Sequence, residues 1–199
     1  MKVKIKKEGK VETFKLINSW EDVTLETWLK LIDFETGTKT EEATETIAAL
    51  SDIPKKLIKE LSLSDVAVIM SKVGELQAKQ DTKLKRIIEI NDVEYGFHPD
   101  LDSISLGEYA DIEQFIKNGI DSSLPELMAV LYRPVKLKKN DIYIIDSYDG
   151  DIRLRAEEMK QMSAEQVQSA LVFFYTLGKV LSEILPLYLM ERLKETKTQ

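Results

Sequence analysis

One nine-residue pattern occurs twice in this chain, and it constrains the fold more than any other feature. Val23-Thr24-Leu25-Glu26-Thr27-Trp28-Leu29-Lys30-Leu31 returns 81 residues later as Ile104-Ser105-Leu106-Gly107-Glu108-Tyr109-Ala110-Asp111-Ile112. In each copy a Thr or Ser is placed to accept a hydrogen bond from the free amides of a first helical turn, behind an apolar residue that packs back on that turn. Leu25, Trp28 and Leu31 in one copy, and Leu106, Tyr109 and Ile112 in the other, fall three apart and predict one apolar helix face. Both stretches are therefore expected to start helices that feed a core, with Trp20, Trp28, Tyr109 and Phe115 inside it.

The surroundings repeat too. Lys2–Lys7 and Val11–Leu16 alternate around Glu8-Gly9-Lys10, and Ile87–Ile90 and Val93–Phe97 flank Asn91-Asp92, so each copy opens with a β-hairpin. Ile47-Ala48-Ala49-Leu50 is answered at the same offset of 81 by Met128-Ala129-Val130-Leu131. Farther on, Leu61-Ser62-Leu63-Ser64-Asp65-Val66 is answered by Met162-Ser163-Ala164-Glu165-Gln166-Val167 at an offset of 101, which places a 20-residue insertion at about 134–153. A match that survives an insertion at a loop points to duplication. The expected fold is α+β and mostly helical, built of two duplicated modules, 1–80 and 81–199. Each is a short β-hairpin followed by several helices, at 24–34, 41–50, 55–61 and from 64 in the first, and at 105–118 and 126–132 in the second. Polar residues 77–85 read as a linker, Asp141–Ile145 as a strand within the insertion, and Ala164 to about Lys194 as a long C-terminal helix that Pro186 kinks or ends.

Composition narrows the chemistry. With no cysteine, thiolate metal sites, disulfides and thiol nucleophiles are ruled out, and a single histidine, His98, cannot supply a paired-histidine metal site. Glycine-rich phosphate loops and the nucleophile-elbow pattern are absent from the sequence. Asp149-Gly150-Asp151 lacks the spacing of a calcium loop and reads as a turn. His98, before Pro99 at the end of a hairpin, is either a lone general base or, as is more usual, a strand-end hydrogen-bonding residue. Glu157 and Glu158 beside Arg153 and Arg155 read as intrahelical ion pairs. No catalytic, cofactor-binding or metal-binding residue is assigned, and the chain is expected not to be an enzyme.

What remains is surface. The formal charge of −7 argues against nucleic-acid binding, although lysines cluster at Lys2–Lys10 and at Lys136, Lys138 and Lys139, where they read as solvated faces or edge-strand protection. Leu171–Gly178 and Ile184–Met190 are apolar on nearly every helical face, yet Lys179 and Glu183 interrupt them and argue against a membrane span. The first run is expected to fill the space between the modules. Ile184, Leu185, Leu187, Tyr188, Leu189 and Leu193, with Lys136, Lys138 and Lys139, are expected to meet other chains. The N-terminus has no apolar run behind its charges and does not read as a secretory signal.

Three segments carry a family resemblance. Ser105–Glu113, Leu127–Pro134 and Met162–Phe174 resemble parts of small virion proteins of crAss-like and related tailed phages, in particular the ring or connector proteins stacked between portal and tail. The resemblance covers the second half and reaches the first through the repeat. It implies a virion subunit made in the host bacterial cytoplasm, assembled on itself in a ring of twelve-fold symmetry against the portal and other ring or tail proteins, with no catalytic residues. A tail-assembly chaperone absent from the finished particle is the alternative from a different class.

Overall fold

The computed structural model describes residues 1–7, 10–34, 38–77, 83–100, 103–140 and 142–172. The predicted C-terminal helix beyond 172, with Ile184, Leu185, Leu187, Tyr188, Leu189 and Leu193, lies outside the described residues. The fold is α+β. Its elements in order are β1 (Lys2–Lys7), β2 (Lys10–Lys15), α1 (Leu25–Phe34), α2 (Lys39–Leu50), α3 (Lys55–Ile58), α4 (Leu63–Gln77), β3 (Ile87–Ile90), β4 (Val93–Phe97), α5 (Leu106–Asn118), α6 (Leu124–Leu131), β5 (Tyr132–Lys139), β6 (Ile142–Ile145) and α7 (Arg153–Met159). A further helix, α8, occupies 164–172.

Local chemistry sets most of these boundaries. Asn91 and Asp92 sit at φ 50° and 62°, the left-handed pair that a two-residue hairpin turn requires and that Asn and Asp tolerate best among residues with a Cβ. Ser105 caps α5 by accepting from Glu108 N, while the Glu108 carboxylate reaches back to Ser105 N. The same reciprocal box joins Thr38 and Glu41, so α2 begins at Lys39 rather than at the predicted Glu41, which is the third residue of the helix and closes the box. Gly119, at φ 105°, ends α5 as expected.

One predicted boundary is wrong for a tertiary reason. The second helix of the latter half was expected to include Tyr132, but Tyr132 turns extended and starts β5. Pro134 disfavours helical backbone at Arg133, and Tyr132 pairs instead with Phe97, so β5 adds to the β3–β4 hairpin. β6 then pairs with β5 across a register shift between Val135 and Leu137, giving a four-stranded antiparallel sheet in the order β3-β4-β5-β6. β1 and β2 form a separate two-stranded sheet.

Each hairpin covers its own core. Val3, Ile5, Leu16, Trp20, Ile47, Leu50, Ile58, Ile69 and Val73 pack beneath β1–β2. Ile88, Tyr95, Phe97, Leu127, Met128, Leu131, Tyr132, Met159 and Val167 pack beneath the larger sheet, with Phe97 edge-on to Tyr132 at 5.1 Å. Each such aliphatic or aromatic side chain removed from water contributes about 1.5–3 kcal/mol. The Tyr132 hydroxyl, taken into this core, donates to the Lys85 carbonyl at 2.8 Å. In both halves an equivalent backbone bond ties the end of the hairpin to the end of the second helix. Ile17 N donates to Leu50 O at 3.0 Å, and His98 N donates to Leu131 O at 2.7 Å.

The two cores meet at a short crossing. Leu25 N donates to Met162 O and Ala164 N donates to Val23 O, both at 2.7 Å, with Thr24 opposite Ser163 in an antiparallel bridge. Leu25, from the first half, belongs to the core of the larger sheet, and Ala164, from the second, to the core of the smaller one; Trp28 packs against both.

Two expectations about buried faces are corrected. Leu106 and Tyr109 were expected in the core, but both are exposed, and α5 buries Glu108 and Ile112 instead. The helix is turned about its axis to put a carboxylate inside, because that carboxylate meets a buried cation from β5. Nor do Glu157 and Glu158 pair with Arg153 and Arg155 along α7: Arg153 faces Asp151 at 3.7 Å and Glu157 pairs with Lys160 at 2.6 Å. Arg155 Nε donates to the Ala129 carbonyl at 2.7 Å, tying α7 to α6, and Glu158 accepts from the Asn91 side chain at 2.9 Å. Among the described residues no helix is long and apolar enough to cross a membrane.

Candidate functional site

Three charged or titratable side chains converge where β4 ends, α5 begins and β5 leaves the core. His98 follows β4, Glu108 lies in the first turn of α5, and Arg133 is the second residue of β5; all three are buried. Glu108 Oε2 accepts from Ser105 N at 2.8 Å and Ser105 Oγ at 2.6 Å. Its Oε1 faces Arg133 Nη2 at 2.7 Å and His98 Nε2 at 3.5 Å. Arg133 also lies over the Tyr148 ring at 5.7 Å, and the Tyr148 hydroxyl donates to the Asp111 carboxylate. The group floors an open cleft of about 380 Å³ bounded by Ser103, Ser105, Tyr143, Ile145 and Tyr148.

The electrostatics follow from burial and pairing. Burial acts to raise the Glu108 carboxyl, but the Ser105 hydroxyl and amide bonds, with the Arg133 charge behind them, hold it below its ordinary range. Burial pushes the His98 imidazole down, and the nearby Arg133 adds to this while Glu108 and Asp100 oppose it, so His98 is neutral at pH 7. Burial, followed by the bond to Asp111, pushes the Tyr148 phenol up. The chemistry these groups can offer is limited by what they already do. Glu108 is ionised, accepts at Oε2 from Ser105 N and Oγ and faces the Arg133 charge at Oε1, Ser105 Oγ is committed to the cap, and Ser103 Oγ donates to the Asp100 carbonyl at 2.8 Å. The cluster works as a latch that joins three elements.

The predicted interface lysines lie on the next stretch of β5. Lys136 pairs with Asp146 at 3.2 Å and Lys138 with Glu94 at 2.6 Å; both pairs are solvent-exposed, and Lys139 is exposed near the tip of the hairpin. The positive charge is thus partly answered within the fold. Sequence reasoning missed what stands beside it. Leu137 lies opposite Ile144 and Lys139 opposite Ile142, and alternation along the strands puts all four on one outward face; Leu137, Ile142 and Ile144 are exposed. Tyr143, on the other face, is buried and donates to the Phe97 carbonyl at 2.6 Å. The alternation of Ile142-Tyr143-Ile144 is a signal that was present, but it does not say which side faces water.

Among the described residues no cluster of His, Asp or Glu is arranged to hold a metal ion. Comparison with protein-family models, curated proteins and solved structures finds no match to this chain.

Proposed function

We propose that this protein is a structural subunit of a ring or connector between the portal and tail of a tailed phage, acting by protein–protein assembly without catalysis. It is built of two copies of one module, 1–80 and 81–199, the second enlarged by an insertion and by a long C-terminal helix. The observation that carries the assembly reading is the β5–β6 hairpin. It falls in the predicted insertion, sits at an open sheet edge, and presents Leu137, Ile142 and Ile144 to solvent beside Lys136, Lys138 and Lys139. An exposed apolar edge is an association site unless a partner covers it.

The duplication draws support from the spacing of equivalent contacts. Ile17–Leu50 and His98–Leu131 are the same hairpin-to-helix bond moved by 81 residues, and the buried Leu16, Ile47 and Leu50 are answered by the buried Phe97, Met128 and Leu131. On this reading the His98 position is where the hairpin is tied down. Beyond the described residues, the sequence pattern adds Ile184–Leu193 to the partner-facing surface, and the whole works as copies of itself in a ring with portal and tail proteins around it. Mass spectrometry of purified particles tests the proposal: the protein is expected at stoichiometric copy number, and its absence from finished particles would overturn the connector role.

A further inference from the structure

The internal crossing of the two cores has a counterpart that is left open. Val23-Thr24-Leu25 and Met162-Ser163-Ala164 pair antiparallel, Glu26 N adds a bond to Lys160 O at 3.0 Å, and Leu25 and Ala164 are both 0% exposed. Each strand-like stretch leads into a helix, so each satisfies a first-turn amide of the other's helix, a group that otherwise has no partner. The repeat places Ile104-Ser105-Leu106 where Val23-Thr24-Leu25 stands, and Leu61-Ser62-Leu63 where Met162-Ser163-Ala164 stands. These two stretches also lead into helices, α5 and α4. Yet Leu106 is 84% and Leu63 is 89% exposed, and neither of their backbone amides donates a hydrogen bond to any described residue.

We propose that the open stretches close on each other between copies of this chain: Ile104–Leu106 of one copy pairs antiparallel with Leu61–Leu63 of the next, reproducing the Thr24–Ser163 junction. The inference rests on the duplicated-module reading and goes beyond it by naming the contact. Symmetry fixes its kind. Halves related by a two-fold axis would form both junctions within one chain, but only one is formed. The relation between modules is therefore head to tail, and a contact that repeats it propagates from copy to copy, into a ring where the rotation closes and a filament where it does not. The second copy is the occupant because the chain already holds the complementary half of the junction, with a leucine on each side to cover.

Cysteine cross-linking tests this in the whole 199-residue chain, which has no cysteine of its own. The Thr24–Ser163 bonds flank the pair, a geometry that sets Cα atoms about 4.5 Å apart, within reach of a disulfide. Single variants Ser62→Cys and Ser105→Cys, mixed at high concentration and oxidised, are expected to give a mixed disulfide dimer well above the dimer either forms alone. Thr24→Cys/Ser163→Cys in one chain is expected to close intramolecularly and serves as the control on the template. Leu63→Glu or Leu106→Glu, at exposed positions, is expected to weaken self-association by about tenfold or more with helicity unchanged. No mixed disulfide while the control closes would overturn the proposal, as would equal cross-linking of Ser62→Cys alone; failure of the control removes the template and the proposal with it. Absence of the protein from particles would bear on the connector role and leave the cross-link standing.

Discussion

Arg133 Nη2 lies 2.7 Å from Glu108 Oε1 with both side chains buried, and this pair fixes how the larger sheet meets α5. Desolvating two ions is costly, and their attraction repays it only while both are present. Arg133→Met is therefore expected to destabilise the protein by about 3–5 kcal/mol, since it strands the Glu108 carboxylate. Glu108→Leu/Arg133→Met should be less destabilised than Arg133→Met alone. Urea denaturation of the wild type, the single variant and the double variant checks the order; a double variant worse than the single would show that the charges do not act as a pair.

The same cluster gives stability a pH dependence. Burial holds His98 neutral in the fold, so below its ordinary 6.5 the unfolded chain takes up a proton that the folded chain refuses. Its contribution is fully present above pH 6.5 and declines as pH falls toward the lowered folded value. Glu108, held below its ordinary 4.5, contributes above that pH and loses its contribution as pH falls through its folded value. Stability is thus expected to fall in two stages on acidification. His98→Gln should flatten the first stage and leave the second. Midpoints of chemical denaturation between pH 7 and pH 3 measure both, and an unchanged slope just below 6.5 in His98→Gln would assign the first stage to other groups.

Gly96 is required where β4 passes under β6. A Cβ there would stand 2.5 Å from Tyr143 Cε2 and 2.8 Å from Ile145 Cγ2. Tyr143 cannot swing aside without giving up the bond it donates to Phe97 O. Gly96→Ala is expected to cost about 1–3 kcal/mol through overpacking. Combined with Tyr143→Ala, the two effects should add to less than their sum, because the second substitution removes the ring that the first one strikes.

The outward face of β5–β6 should matter to assembly and little to folding. Leu137→Ser/Ile142→Thr/Ile144→Thr keeps strand-compatible residues at most of these positions and changes only exposed side chains, so each substitution is expected to shift stability by no more than about 0.5 kcal/mol. Sedimentation of the purified chain and incorporation into particles read the other side: both should fall relative to wild type while the melting transition stays in place.

How far the sequence could be read depended on whether the deciding interaction was local. The Asn91-Asp92 turn, the Ser105 cap and the Gly119 stop are chosen by residues within a turn of one another, and each was visible; the Thr38–Glu41 box is just as local, but the expected start at Glu41 passed over it. Which face α5 buries was not visible, because Glu108 is drawn inside by Arg133, a residue of a strand that forms only once β5 joins the sheet. The latch at His98 was missed for the same reason. The lysines of β5 were named correctly as exposed, but their apolar neighbours Leu137 and Ile144 are exposed only because β5–β6 extends beyond the core, a fact of tertiary placement.

The repeated pattern itself supplies the sharpest contrast. Leu25 and Leu106 follow the same cap, begin α1 and α5, and are related by the 81-residue offset, yet one is fully buried at the crossing of two cores and the other is exposed. Leu25→Ala would leave a cavity among residues that are also held by the Val23–Ala164 and Leu25–Met162 backbone bonds, so the site cannot collapse freely; a loss of about 2–5 kcal/mol is expected. Leu106→Ala touches no core and gains a better helix former, so its effect should stay within about 0.5 kcal/mol in the isolated chain. Thermal unfolding of the two variants under dilute conditions measures the difference. Equal losses would mean that Leu106 is buried in the isolated chain as Leu25 is, and a large loss for Leu106→Ala only at high protein concentration would place its burial between copies.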